Sequence, residues 1–600
     1  MSQGYAANNR MRLLTVGVLA CFMVIGVRLL FLHVLDRDEL LKFVDKARKQ
    51  IVVEHAKRGT ILDARGNLLA TSRSFVVLGA DPEMLRPADE QDWPEVARLL
   101  NVPAPQLDST LRRAIAASRV ALTNSDAAVK EKRVRWVKLA DEVDESVYDQ
   151  ITKLRVRGIY GQRGYKRVYP GGELAAHVLG YVNKEGIPVT GAERHLDLYL
   201  KGEDGWIESE KDGARRELAQ FRSREVPVRD GDDVVLTIDS VVQHIIEDEL
   251  KTIAAKFNPH FATIIVSDPQ TGQILGMANY PSYNPNEFNK APLDTQRNNA
   301  VTDIIEPGST FKIVAAGAAL DQGIVTPATT FDCGITSINF KGRDRKLPKE
   351  DEPFGTLTVA DIVAHSSNRG AAQLAMLMGE DKFYEYARKY GFGQTTMFQL
   401  GGEVRGILEA PAHWDGLTIT RMPMGHSVAA TPLQVHMAMS AVANGGALLR
   451  PQIIKEIRDE QGNVVRTFLP EKREQVLRPS TAALLAQLLT RVVTEGTAKG
   501  FDLPGFELAG KTGTTQKLVD GKYVNNRHVA SFVGFFPASR PQIVLSVIVD
   551  DAKVPGGVAY GRAVSAPSFR HVAEQLIQYL DIKPVMTPTR NILALNGGAR

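Results

Sequence analysis

The longest apolar stretch of the chain lies near its start. Residues 13–35 read LLTVGVLACFMVIGVRLLFLHVL, broken mainly by Arg28 and His33. At about 1.5 Å per residue a helix of this length reaches roughly 34 Å, enough to cross a hydrocarbon core of about 30 Å. The pattern predicts a transmembrane anchor. Arg10 and Arg12 precede it with no acid in residues 1–12, and Asp36, Asp38 and Glu39 follow it. The positive-inside rule then puts residues 1–12 in the cytoplasm and everything beyond residue 35 outside. A cleaved signal peptide is the competing reading; the run is longer than a typical h-region, and no small-x-small site follows it.

Beyond the anchor the pattern changes several times. Residues 36–50 are charged and periodic, Ile51-Val52-Val53-Glu54 opens a strand, and turn glycines separate short β-branched runs around Lys57-Arg58-Gly59-Thr60-Ile61 and Arg65-Gly66-Asn67. Residues 87–159 read as mostly helical, and 165–200 return to Gly/Pro punctuation. The polar turn Val228-Arg229-Asp230-Gly231-Asp232-Asp233 gives way abruptly to Val234-Val235-Leu236, the sign of a domain boundary. After it come a helix over 241–255, a buried strand over 262–267, the turn Asp268-Pro269-Gln270-Thr271-Gly272, and late strands over 530–536 and 543–549. The expected organisation is a tail 1–12, an anchor 13–35, a pedestal 36–233, a large domain 234–585 and a loose tail 586–600.

Composition narrows the partners. The 600 residues are 44% hydrophobic and 24% charged, which excludes disordered and collagen-like chains. Lys+Arg 73 against Asp+Glu 69 leaves +4 with no long basic run, so nucleic acid is not an expected partner. Two cysteines, Cys21 and Cys333, make neither a disulfide framework nor a thiolate zinc site. No metal and no cofactor is expected.

Candidate chemistry sits in three places. Glu306-Pro307-Gly308-Ser309-Thr310-Phe311-Lys312 runs into the uncharged helical stretch 313–320. Ser309 thus falls near a helix N-terminus, where free N–H groups favour a developing oxyanion, and Lys312 lies one turn on, on the same face. A buried lysine can shed its proton near neutrality and take that of the serine. His365-Ser366-Ser367-Asn368-Arg369 supplies a relay hydroxyl and an amide that can bind a peptide carbonyl. Leu508-Ala509-Gly510-Lys511-Thr512-Gly513-Thr514-Thr515 offers small residues for close backbone approach, with a lysine and hydroxyls suited to a carboxylate. Each alone is weak: a serine N-cap beside a snorkelling lysine, a polar loop and a glycine-punctuated edge strand give the same letters.

The order Ser-x-x-Lys, Ser-x-Asn, Lys-Thr-Gly at these separations resembles the penicillin-binding protein and serine β-lactamase superfamily. Further blocks resemble the class B penicillin-binding proteins: Tyr280-Pro281-Ser282-Tyr283-Asn284-Pro285-Asn286, Arg297-Asn298, Ala430-Thr431-Pro432-Leu433-Gln434, Ala443-Asn444-Gly445-Gly446, Gly496-Thr497-Ala498, and, nearer the anchor, Arg58-Gly59-Thr60-Ile61 and Gly191-Ala192-Glu193. Gly425-His426-Ser427 departs from the aromatic or glycine-rich stretch that members often carry, which leaves the subgroup open. The resemblance implies an α+β chain: one transmembrane helix, an elongated strand-and-helix pedestal, and a C-terminal domain with an antiparallel sheet flanked by helices. It implies a peptidoglycan D,D-transpeptidase that releases terminal D-Ala and is inhibited covalently by β-lactams. Ser309 would be acylated, Lys312 would activate it, Ser366 would relay protons and Asn368 would hold the peptide. Lys511, Thr512, Gly513 and Thr514 would take the substrate strand and its carboxylate, and the N–H groups of Ser309 and Thr514 would form the oxyanion hole. The implied partners are peptidoglycan stem peptides on lipid II-derived strands and, docked on the anchor and pedestal, a SEDS-type polymerase with other membrane proteins of the divisome or elongasome.

Other readings compete. Gly505-Phe506-Glu507-Leu508-Ala509-Gly510-Lys511-Thr512 fits a P-loop, which requires a helix to begin at the Lys-Thr; Gly513 and the threonines after it are poor helix formers. A secreted β-lactamase needs neither anchor nor pedestal, and a β-lactam receptor needs a cytoplasmic signalling module larger than residues 1–12. A catalytically silent scaffold keeps the fold without the chemistry, but all three motifs are intact here. Length, the compact pedestal and the lack of an appended C-terminal repeat module favour the division-septum subgroup over elongation. Glu306 precedes a proline outside the helix and is expected to serve a turn or cap, leaving no carboxylate placed to activate water.

Overall fold

The strands 261–267 and 543–550 are buried at every position, which requires cover on both faces of their sheet. A computed structural model of the chain shows that cover; it describes residues 3–123, 134, 136–211, 217–218, 220, 222, 224–519, 521–555 and 557–584. The tail expected at 586–600 lies outside the described residues. Five antiparallel strands form the sheet: β1 (Phe261–Ser267), β2 (Ile274–Tyr280), β3 (Ala509–Val519), β4 (Lys522–Phe536) and β5 (Ile543–Asp550), in the spatial order β2-β1-β5-β4-β3. Helices α1 (Ser240–Phe257) and α6 (Gly561–Tyr579) pack on one face, where Phe569 meets Phe532 at 4.6 Å between ring centroids. On the other lies α5 (Pro432–Ala443), every residue of which is buried; its His436 bonds Ser267 Oγ at 2.7 Å and Ser546 Oγ at 3.0 Å. Between α1 and α5 in the chain come α2 (Lys312–Asp321), α3 (Val359–His365) and α4 (Asn368–Met378). Strand β3 is an edge, so one side of the Lys511-Thr512-Gly513 backbone is left unpaired by the sheet.

A second sheet runs across the boundary expected at 233/234. Strand 233–236 pairs in parallel with 61–62, with Ile61 opposite Val234, and the same sheet continues through 454–458 on one side and 68–80, 137–143 and 159–168 on the other. Residues 58–201 and 231–600 therefore form one compact unit. Val137–Val143 lies inside the stretch expected to be mostly helical. Its letters, VKLADEV, alternate at Val137-Lys138-Leu139 but break at Ala140-Asp141-Glu142, too short a signal to mark a strand, and pairing with 68–80 decides its state.

Within this unit the blocks Arg58-Gly59 and Gly191-Ala192-Glu193 meet. Glu193, wholly buried, accepts from Arg58 Nε at 2.7 Å and Arg167 Nε at 2.6 Å, while Arg58 also reaches Asp197 and Arg167 reaches the Gly59 carbonyl. One carboxylate thus ties three distant segments of chain together.

The other unit comprises residues 1–57 and 202–230. Helix Gln3–Leu30 continues as a π-helical turn through Leu35, and over Asn9–Leu35 it is apolar and exposed along its length. It is the one helix among the described residues long and apolar enough to span a bilayer, and it anchors the chain in the membrane. Helix Arg37–Arg48 follows, and Lys49–Glu54 then pairs antiparallel with Gly205–Lys211.

Replacing Glu193 by alanine leaves two guanidinium groups facing each other without their shared anion. We expect a loss of about 3–5 kcal/mol of stability, seen in calorimetry as a clear fall of the unfolding midpoint. A change under about 1 kcal/mol, the value of a surface pair, would show that the cluster is not a structural tie.

Candidate active site

The nucleophile candidate stands on a tight turn. Gly308–Phe311 form a 3-10 turn that passes straight into α2, and Ser309 remains partly exposed while Gly308, Thr310 and Phe311 are buried. Glycine is required at 308: its φ is +56°, and a Cβ there would lie 2.5 Å from Thr515 Cγ2. Thr310 Oγ1 closes the turn on the Pro307 carbonyl at 2.6 Å. Nine residues of α2 are buried, Lys312 among them, so its amine is carried into the interior.

The lysine's partners come from the junction of α3 and α4. Ser366 ends α3 in a left-handed conformation, φ +61°, and Ser367 caps α4 by accepting from Gly370 N–H. This reversal turns both oxygens of Ser366 inward. Lys312 Nζ donates to the Ser366 carbonyl, to Ser366 Oγ at 3.1 Å and to Asn368 Oδ1 at 2.7 Å. Asn368 is held the right way round because its Nδ2 donates to the Lys349 carbonyl at 2.8 Å. From β3, Lys511 Nζ donates to the same Ser366 Oγ at 2.8 Å. Two amines therefore converge on one hydroxyl, both fully buried from solvent. Burial pushes Lys312 down to about 8, with Glu350 and Asp351 partly opposing the shift. It pushes Lys511 well below its ordinary value, and the charge of Lys312 pushes the same way. The hydrogen bonds of Lys312 all go to the Ser366–Asn368 turn and none to Ser309, so the proton path from the serine is one turn of helix long rather than a preformed bond.

Lys511, Thr512, Gly513 and Thr514 all lie in β3, which runs on as strand to Val519. No helix begins at Lys511-Thr512, so the P-loop reading fails. Thr512 Oγ1 shares a hydrogen with Thr497 Oγ1 at 2.7 Å, and Thr514 Oγ1 accepts from Gly561 N–H at 3.0 Å, which fixes the start of α6 against the strand. A Cβ on Gly513 would lie 2.3 Å from Ser531 Oγ, 3.1 Å from Thr310 Cγ2 and 3.2 Å from the Pro307 carbonyl. The missing side chain is what lets β3 approach the turn that carries Ser309.

Two carboxylates beside the site were not legible as parts of it. Glu350 accepts from Ser367 Oγ at 2.6 Å, Asn368 N–H at 2.8 Å and Arg369 N–H at 2.8 Å; it belongs to no local motif and arrives by the fold of the segment before α3. Glu306 does not cap a helix. Its carboxylate accepts from His426 Nδ1 at 2.8 Å, Ser427 N–H at 3.1 Å and Tyr523 Oη at 3.1 Å, and burial together with that carboxylate pushes the Tyr523 phenol up to about 12. The signal was present in Gly425-His426-Ser427, the stretch that departed from the expected pattern. Gly425 is also pressed against the nucleophile turn, where a Cβ would lie 2.1 Å from the Gly308 carbonyl. Among the described residues no group of His, Cys, Asp or Glu is arranged to hold a metal ion.

Residues 262–574 match the family described as penicillin binding protein transpeptidase domain, and residues 53–236 match the penicillin-binding protein dimerisation domain. The stage V sporulation protein D of Bacillus subtilis is 30% identical over 567 residues, covering 94% of this chain and 84% of that protein. The peptidoglycan D,D-transpeptidase FtsI of Escherichia coli is 28% identical over 590 residues, covering 97% and 94%. Among solved structures, penicillin binding protein 3 of Mycobacterium tuberculosis complexed with aztreonam superposes with a TM-score of 0.66 at 25% identity, over 89% of this chain and 98% of that one. Penicillin binding protein 2X of Streptococcus thermophilus gives a TM-score of 0.73 at 23% identity over 89% and 80%, a likeness of fold.

Gly513→Ala should cost about 1–3 kcal/mol through overpacking, and Ser531→Ala in the same chain should recover part of it by removing the nearest atom. Thermal unfolding of the single and double variants checks this. An unchanged single variant, or a double variant no better than the single, would contradict the packing given for this strand.

Proposed function

The chain belongs to the class B penicillin-binding proteins, and from that premise we propose that it is a serine-type peptidoglycan D,D-transpeptidase that cross-links stem peptides through an acyl-enzyme on Ser309. Ser309 Oγ attacks the carbonyl between the two terminal D-Ala residues of a donor peptide while Lys312 takes its proton. The C–N bond then breaks, and terminal D-Ala leaves with a proton passed through Ser366 Oγ. An amine of an acceptor peptide attacks the ester, a new amide forms, and Ser309 recovers its proton. Asn368 binds the donor backbone, and Thr512, Gly513 and Thr514 receive it along the free edge of β3. The terminal carboxylate pairs with Lys511 and Thr514, and its negative charge restores to Lys511 the proton that burial weakens. The N–H groups of Ser309 and Thr514 receive the oxyanion, a donor of this kind being worth about 3 kcal/mol in the transition state.

The observation that carries this reading is the buried Lys312, its proton affinity lowered to about 8 by desolvation, one turn from a partly exposed serine. A β-lactamase or carboxypeptidase would need a group to activate water. Two carboxylates beside the motifs, Glu306 and Glu350, have their oxygens engaged by protein donors, which supports a long-lived ester. A silent scaffold would have no need of two buried amines, each costly to desolvate.

We assign residues 1–12 to the cytoplasm and the catalytic domain to the periplasmic side of the inner membrane, following the charge on either side of the anchor. Domain limits at 36–233 and 234–585 stay part of this proposal, with the two regions joined by a shared sheet. A SEDS-type polymerase docked on the anchor and pedestal is the membrane partner proposed, on the strength of the resemblance alone. Septal synthesis is the role proposed, with elongation as the alternative; depletion of the protein separates them, filaments marking septation and round cells elongation.

Ser309→Ala should abolish covalent labelling by a fluorescent penicillin while leaving the unfolding midpoint unchanged, because a partly exposed hydroxyl contributes little to stability. Labelling that persists and maps to another serine by mass spectrometry would overturn the assignment.

A further inference from the structure

Glu350 sits where a single carboxylate can govern the whole Ser366–Asn368 turn. One oxygen accepts from Ser367 Oγ and from the backbone N–H of Arg369, the other from the backbone N–H of Asn368. The two residues before it complete the grip: the Lys349 carbonyl accepts from Asn368 Nδ2 at 2.8 Å and the Pro348 carbonyl from Arg369 Nε at 3.1 Å. Residues 348–350 therefore hold the start of α4 by both backbone and side chain. The consequence falls on Lys312, because Asn368 can present Oδ1 to the amine only while its Nδ2 and N–H are held from this side.

We propose that Glu350 is a positioning residue for acyl transfer, which fixes the Ser366–Asn368 turn against Lys312 and supplies the negative charge that balances this amine. The inference rests on the reading of Lys312 as the base. Glu350 is not itself a base for water, since its oxygens face three protein donors at the start of α4.

The charged groups that bear on the amine can be named from each side. Glu350 and Asp351 hold the proton on Lys312 against the pull of burial, and across the shared Ser366 hydroxyl the charge of Lys312 in turn lowers the proton affinity of Lys511 on β3. Around Glu350 itself, the Arg369 guanidinium is turned toward the carbonyls of Cys333 and Gly334, Lys349 is exposed, and the Cys333 thiol, pushed up by burial and by Glu350 and Asp332, stays neutral. Ser367 still caps α4 through Gly370 N–H if Glu350 is changed, so the helix keeps one of its ties.

The test is the second-order rate of Ser309 acylation by a β-lactam, measured against pH in the full chain and in Glu350→Gln and Glu350→Asp. Removing the charge should let Lys312 lose its proton more easily, so Glu350→Gln should move the acid limb of the profile about one unit to lower pH while lowering the plateau by about tenfold as the turn loosens. Glu350→Asp keeps the charge but not the reach; its limb should stay and its plateau should fall. A Glu350→Gln variant whose plateau falls with the limb unmoved would reduce Glu350 to a structural role and overturn the proposal, as would native profiles in both variants. Should Glu350→Gln not fold, the aspartate variant decides, a native plateau in it contradicting the proposal. Failure of the underlying reading looks different: the native chain itself would show no acylation at Ser309.

Discussion

Two ammonium groups cannot both remain charged in a dry pocket, and the site is organised around that constraint. Lys312 and Lys511 both lie out of water and both donate to Ser366 Oγ. Desolvation lowers the proton affinity of each, and the charge of Lys312 lowers that of Lys511 further. The remaining geometry answers this cost. The left-handed Ser366 turns a carbonyl and a hydroxyl toward the amines, Asn368 adds an amide oxygen, and Glu350 and Asp351 add partial compensation. The balance leaves a lysine able to give up its proton near pH 8, and beside it a second lysine whose proton affinity burial and Lys312 hold down.

The fold's contribution is to bring three distant segments to this point with little room to move. Gly308, Gly425 and Gly513 each sit where a Cβ would strike a neighbouring segment, so the nucleophile turn, the 425–427 loop and strand β3 are packed at backbone distance. Such contacts tolerate no drift, and positioning within fractions of an ångström is what acyl transfer by a serine requires. Strand β3 keeps its outer edge free because it ends the five-stranded sheet, an arrangement suited to a substrate strand that adds to it. Within the same compact unit, Glu193 ties Arg58 to Arg167, a residue of strand 159–168 in the sheet that includes 233–236.

Much of this was visible in the letters. The three motifs carried the chemistry, their order pointed to the family, and the anchor followed from one apolar run. What escaped shares a physical cause: it depends on partners distant in sequence. Val137–Val143 is a strand because 68–80 offers an edge, not because its own residues prefer one. The polar turn before Val234 reads as a limit between regions, and the pairing of 61–62 with 233–236 beside it is a contact that the letters do not carry. Glu306 read as a turn or cap residue and Glu350 drew no reading, and only folding shows Glu350 gripping the start of α4 and Glu306 holding His426 and Tyr523. A carboxylate's role is set by the donors that reach it, and no local spacing encodes those.

The central claim is that burial, rather than any hydrogen bond to Ser309, makes Lys312 a base. Its most direct measure is the acylation rate of the native chain followed from pH 5 to pH 10, beside that of Lys312→Arg, whose guanidinium stays protonated throughout. The account predicts a native rate that rises with pH, is half-maximal near pH 8 and is level by about pH 9–10, and a Lys312→Arg rate lower by orders of magnitude with no such rise. A native rate that keeps climbing past pH 10, or an arginine variant that keeps the native profile, would contradict it.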